Sequence, residues 1–162
     1  MHSVAILAYD GMSGFESGLA AEIFGITELS EQFSAGIARP WYTVRLCAER
    51  PELRMIGGAT VTTPHGLADL ATADTVVIPS VPDVAEPPSP DVVEAIRAAR
   101  DRGARLVSIC SGAFALAAAG VLDGRRATTH WIYVDQLAQR HPQIVVDPGP
   151  LYVDEGDVLT SA

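Results

Sequence analysis

The sequence predicts an α/β domain, a mainly parallel sheet flanked by helices on both faces. Three observations carry that expectation. Strand-like runs alternate with helical stretches along the chain. Several of the runs, at 3–9, 75–79 and 105–109, are apolar almost throughout, as in strands covered on both sides. And 162 residues, 48% of them hydrophobic, suffice for one domain with a real core.

Ser3-Val4-Ala5-Ile6-Leu7-Ala8-Tyr9 is the first strand. Residues 10–14 turn the chain, and Ser13 with Glu16 three residues on has the form of a capping box. A helix follows from Phe15 to Leu29. Phe15, Leu19, Ile23 and Ile26 fall at helical spacing and form its expected buried stripe. Residues 30–40 read as a polar connection. Trp41 to Ala48 is a second strand in which Cys47 is a packed hydrophobe. Residues 53–62 read as a hairpin turning at Gly57-Gly58. A short helix or loop over 64–73 leads to the buried strand Thr75–Pro79.

Ser80 to Pro90 is proline-dense and exposed and reads as a plain connector, with a rim over a pocket as the alternative. Ser89 at the N-cap and Pro90 at N1 open a helix that runs to about Arg102, with Val92, Val93, Ile96 and Ala99 toward the sheet. Gly103 ends it. The strand Arg105–Ile109 then runs into an Ala-rich helix closed by Gly120. Ala127-Thr128-Thr129 is a short extended piece, residues 132–140 a helix, and 144–146, 151–153 and 158–160 short strands.

Composition excludes several roles. A formal charge of −9 makes this segment a poor partner for nucleic acid or an anionic membrane surface. No apolar run is long enough to span a bilayer. Two cysteines, Cys47 and Cys110, make no disulfide framework, which fits a cytoplasmic location. The four histidines are scattered and no glycine-rich phosphate loop is present, so neither a metal nor a cofactor is expected.

Cys110 sits where an apolar strand changes to a helix of small residues. A side chain at such a joint is pushed out at the rim of the sheet, and a helix N-terminus there is expected to depress a thiol pKa. The plainer reading is a buried cysteine between two elements, and the pattern alone leaves both open. Open parallel sheets place sites at the carboxyl ends of their strands. Tyr9–Asp10, Pro79–Ser80 and Cys110 are all at such ends. Glu16 and His130 are placed near the same rim, so thiol, carboxylate and imidazole form a candidate set for nucleophilic chemistry or a tuned redox thiol. Singly, Glu16 reads as a helix-terminal acid and His130 as an interior histidine beside Trp131.

Tyr9-Asp10-Gly11-Met12-Ser13, Ser108-Ile109-Cys110-Ser111-Gly112-Ala113-Phe114, Leu122-Asp123-Gly124-Arg125-Arg126-Ala127-Thr128-Thr129-His130-Trp131 and the closing run 152–162 together resemble the ThiJ/PfpI superfamily. The match is similar in particular to the N-terminal sensor domain of AraC-type transcription regulators. The resemblance implies a class I glutamine amidotransferase-like, flavodoxin-like three-layer sandwich. It implies Cys110 as the elbow cysteine, Glu16 as the acid against it, and His130 as the histidine that follows. It also implies an anion held by backbone N–H groups near Ser80 and Ser111. Gly112, Asp10, Gly11 and Trp131 complete the expected ligand-binding set.

Departures from the superfamily narrow the function. Peptidases of this kind carry His directly after the nucleophile, where Ser111 stands. Glutaminases carry Gly at the position of Ser108 and a late His-x-Glu pair that this chain lacks. Ser80-Val81 replaces a frequent double glycine. The resemblance therefore implies a ligand-sensing, homodimerising domain over residues 1–162. Its effector would be a small molecule, and DNA would be reached only through a helix-turn-helix module that, with a last helix, is missing after Ala162. The alternative is a small-molecule enzyme, isocyanide hydratase-like or glyoxalase-like, with Cys110 as nucleophile.

Overall fold

The computed structural model describes residues 1–29 and 41–162. The connection expected at 30–40 lies outside the described residues. The elements in order are β1 (His2–Leu7), α1 (Gly14–Leu29), β2 (Tyr42–Cys47), β3 (Glu52–Arg54), β4 (Thr60–Thr62), α2 (Leu67–Ala71), β5 (Thr75–Ile78) and α3 (Pro90–Asp101). There follow β6 (Arg105–Ile109), α4 (Ala113–Ala118), β7 (Arg126–Ala127), α5 (Val134–Arg140), β8 (Val145–Val146), β9 (Tyr152–Asp154) and β10 (Val158–Ser161). Single 3₁₀ turns at Cys110–Gly112 and Trp131–Tyr133 precede α4 and α5.

One six-stranded sheet in the order β2-β1-β5-β6-β10-β9 organises the chain. All its pairings are parallel except β9 against β10. Such a sheet needs helices on its faces. On one face Leu70 of α2, Ile96 of α3, Leu116 of α4 and Leu137 of α5 pack with Val76, Ile78 and Leu106. On the other, α1 packs on Val4, Ile6 and Val77. Beyond the reach of α1 on that face, Val107, Ile109 and Leu159 stay half-exposed. The hairpin β3–β4 and the parallel pair β7–β8 stand outside the main sheet.

The local signals are mostly realised. Ser89 accepts the Val92 N–H at 3.2 Å as the N-cap of α3, with Pro90 inside the first turn. Val92, Ile96 and Ala99 are buried beneath α3, and Gly103 leaves it at φ +84°. Gly57 and Gly58 turn the β3–β4 hairpin at φ +89° and +86°. Cys47 is fully buried.

Two expectations about α1 fail. Phe15, Leu19, Ile23 and Ile26 are exposed, Phe15 to 75% and Ile23 to 61%. The helix rests instead on Ser17, Ala20, Ala21 and Phe24, on nearly the opposite side at 100° per residue. Its small residues let the backbone approach the sheet, and the apolar stripe is left facing solvent. The capping box also does not close. Ser13 Oγ accepts the Phe15 N–H at 3.2 Å, while Glu16 turns inward.

Candidate functional site

The site is built at the carboxyl end of β6. After Ile109 the chain turns into the 3₁₀ segment, and Cys110 takes φ +59°, unlike every other non-glycine among the described residues. A left-handed backbone with a Cβ costs roughly 1–2 kcal/mol, so surrounding contacts must hold it. Three do.

Gly112 is the first. A Cβ there would stand 2.2 Å from Ile78 O and 2.6 Å from Pro79 O, so only glycine lets the elbow lie against the end of β5. Ser111 is the second. Its Oγ accepts the Val81 N–H at 3.0 Å and faces Val81 O at 3.4 Å, tying the elbow to the proline-dense loop. Thr129 is the third. Its hydroxyl donates to Cys110 O at 2.9 Å.

Cys110 is half-exposed at the rim, and Tyr9 and Glu16 share its electrostatic surroundings. The Tyr9 hydroxyl donates to Pro79 O at 2.7 Å and is also within bonding distance of Ser80 O, at 3.0 Å. Burial, with Glu16 and Cys110 nearby, pushes the Tyr9 phenol far above its ordinary range. Glu16 Oε2 is buried and has no hydrogen-bond partner among the described residues. The thiol itself is not activated as the strand–helix joint suggests. Burial pushes Cys110 up, the Ser111 N–H offsets part of that, and the Glu16 charge adds to it. α4 begins three residues later and is only six residues long, so its dipole does not win.

The remaining predicted residues divide. His130 is half-exposed and its Nδ1 accepts the Ile132 N–H at 3.3 Å, capping the turn before α5. Its ring stacks on Trp131, with centroids 5.5 Å apart, and Trp131 is 75% exposed. Cys110 and Glu16 are thus brought together, while the contacts of His130 among the described residues are with Trp131, Ile132 and Tyr133 and not with either of them. Asp10 accepts the Arg54 N–H at 3.0 Å and pairs with Arg50. The Gly11 N–H donates to Arg54 O at 2.7 Å with φ +76°. These two residues therefore fasten the β3–β4 hairpin to the rim.

Behind Tyr9 lies a cavity of about 290 Å³. Val81, Pro82, Pro87, Pro88, Val92 and Ala115 give it apolar walls. Its outer wall is the 80–90 loop, so that segment is a rim and not a plain connector. Arg140 pins it by bonding Val84 O, with its guanidinium 5.8 Å from the Phe114 ring centroid. Tyr9, Thr129 and Arg140 carry much of this arrangement, and their bonding roles escape the sequence pattern even where, as for Tyr9 and Thr129, it marks their positions. Each acts on a backbone carbonyl distant in sequence, which leaves no spacing to read.

Comparison with known proteins places the chain. The DJ-1/PfpI family model matches residues 2–162. A Streptomyces lividans protein from the cpoL 5′ region is 33% identical over 145 residues, covering 87% of this chain and 96% of that protein. The HTH-type transcriptional regulator CdhR of Pseudomonas aeruginosa is 30% identical over 134 residues, 83% of this chain. The matched region is only 39% of CdhR's own length. Isonitrile hydratase of Pseudomonas putida is 48% identical over 42 residues, 26% of this chain and 18% of that enzyme. The crystal structure of an AraC family transcriptional regulator from Pseudomonas putida superposes with a TM-score of 0.77 at 19% identity, over 100% of this chain and 84% of that one. The sheet order, the strained elbow and a match over nearly every residue agree: the chain belongs to the DJ-1/PfpI family.

Proposed function

We propose that residues 1–162 are the ligand-sensing and dimerisation domain of an AraC-type transcription regulator. A small-molecule effector occupies the cavity behind Tyr9. DNA is contacted by a helix-turn-helix module outside these residues, and the regulator works in the cytoplasm. The observation that carries this reading is the apolar-walled cavity behind Tyr9, together with a cysteine elbow whose thiol pKa is raised by burial and not lowered. A sensor needs such a chamber, whereas a nucleophile needs the thiolate. The relationship to CdhR supports the regulatory setting. No helix among the described residues is long and apolar enough to cross a membrane.

The exposed stripe Phe15, Leu19, Ile23 and Ile26 supports self-association through α1. The test is a thermal-shift screen of small molecules on this chain, with Val92→Trp as a cavity-filled control. A true effector raises the melting temperature of wild type and not of the filled variant. Compounds that shift both equally, or none that shift either, count against the reading.

A second reading, a cysteine-dependent hydratase, is favoured by the φ +59° elbow and by the short match to isonitrile hydratase. It requires turnover of an alkyl isocyanide or a 2-oxoaldehyde that disappears in Cys110→Ser.

A further inference from the structure

We infer that Thr129 is a positioning residue for Cys110: its hydroxyl holds the cysteine carbonyl and so keeps the strained elbow in the conformation that sets the thiol against the Ser111 N–H. At φ +59° the elbow needs an external hold on the residue itself. Ser111 and Gly112 hold the residues after it. The 2.9 Å bond from Thr129 Oγ1 acts on the Cys110 peptide directly.

Thr129 is itself placed firmly. It is 1% exposed, and its neighbour Thr128 donates its N–H to Thr160 Oγ1 at 2.9 Å. The 128–129 segment is thereby fixed to β10, a core strand paired with β6. The clamp thus runs from the sheet, through Thr128 and Thr129, to the elbow, and not from a loose loop. The following residue, His130, caps the turn that leads into α5, so the segment is anchored on both sides of Thr129. A plain buried hydroxyl satisfying itself would contribute to stability alone. A positioning hydroxyl must also change how Cys110 reacts. The inference concerns the elbow and not the proposed effector cavity, and its test needs no effector. A failed effector screen therefore leaves it standing, and its own failure leaves the sensing reading standing.

The experiment follows alkylation of Cys110 by iodoacetamide against pH, by mass spectrometry, in wild type, Thr129→Val and Thr129→Ser. Cys47, fully buried in the same chain, reports global opening. Without the hydroxyl the elbow relaxes and Cys110 loses the Ser111 N–H. The midpoint then rises by about half a pH unit, and alkylation below it slows about threefold. Thr129→Ser restores the wild-type profile, and Cys47 stays unreactive throughout. If Thr129→Val does not fold, Thr129→Ala removes the hydroxyl without added bulk and is read in the same way. A Cys110 profile that coincides with wild type overturns the inference. So does a change at Cys110 matched by equal labelling of Cys47, because that is the signature of lost stability alone.

Discussion

Ser111 Oγ accepts the Val81 N–H at 3.0 Å, and this bond joins the cysteine elbow to the rim loop. Its chemical consequence is that the Val81 N–H points to a serine and not to a substrate oxygen. In acyl transfer, free backbone donors at the nucleophile stabilise the oxyanion. Here the loop's donor at Val81 is already engaged, and the neighbouring Pro79 and Ser80 carbonyls face the Tyr9 hydroxyl.

Replacing Ser111 with Ala leaves the Val81 N–H without that partner. The expected cost is about 1–2 kcal/mol of unfolding free energy, with faster exchange confined to the amides of the 80–90 loop. Urea denaturation and hydrogen–deuterium exchange measure the two effects. Uniform loss of protection across the sheet would contradict the local role assigned to this bond.

Gly112→Ala is expected to be far more severe. The new methyl has no space against Ile78 O and Pro79 O, both of which are backbone. A loss of about 3 kcal/mol or more, or failure to accumulate soluble protein, is the expected outcome. Gly124→Ala is the natural comparison, since a Cβ there meets nothing and only its φ of +73° is strained. Equal melting temperatures for the two variants would show that the elbow does not need its close approach to β5.

The thiol gives a pH-dependent readout. The Glu16 charge pushes Cys110 up, so Glu16→Gln lowers the pH midpoint of Cys110 alkylation. The same sign governs stability. Folding holds the thiol protonated, so its contribution is complete below the ordinary thiol pKa and is lost as pH rises through the raised one. Iodoacetamide kinetics from pH 6 to 10 check the first statement, and an unmoved or raised midpoint in Glu16→Gln would refute it.

The α1 stripe separates packing from association. Phe15→Ser and Ile23→Ser remove exposed side chains, so monomer stability stays within about 0.5 kcal/mol of wild type. If α1 is the dimer face, the same pair converts a dimer to a monomer in light scattering. A dimer that survives both substitutions places the interface elsewhere.

The sequence made α1 legible as a helix but not as an oriented one. Its apolar period shows that a stripe exists. Which side meets the sheet was decided by Ser17 and Ala20, whose smallness allows a close approach that hydrophobicity scales do not reward. The parallel sheet was clearer, because Val4–Leu7 and Val76–Ile78 are apolar without interruption and leave no solvent face to choose. At the site, the position of Cys110 could be read from the strand-to-helix change. Its protonation could not, because burial and a charge 94 residues upstream along the chain outweigh a short helix. Thr129 stood inside a recognisable motif, yet only the fold turns its hydroxyl onto the Cys110 carbonyl.

The strand order has a consequence for how the molecule is made. β10 pairs with β6 across a separation of more than fifty residues, and β9 joins the sheet only through β10. Until synthesis has passed Ser161, β6 is therefore an open edge of a growing sheet, and the elbow it carries has no β10 behind its Thr128–Thr129 clamp. The clamped cysteine elbow is among the last features of the nascent chain to be completed, and a ribosome-stalled chain ending before residue 158 should lack its anchor to Thr160.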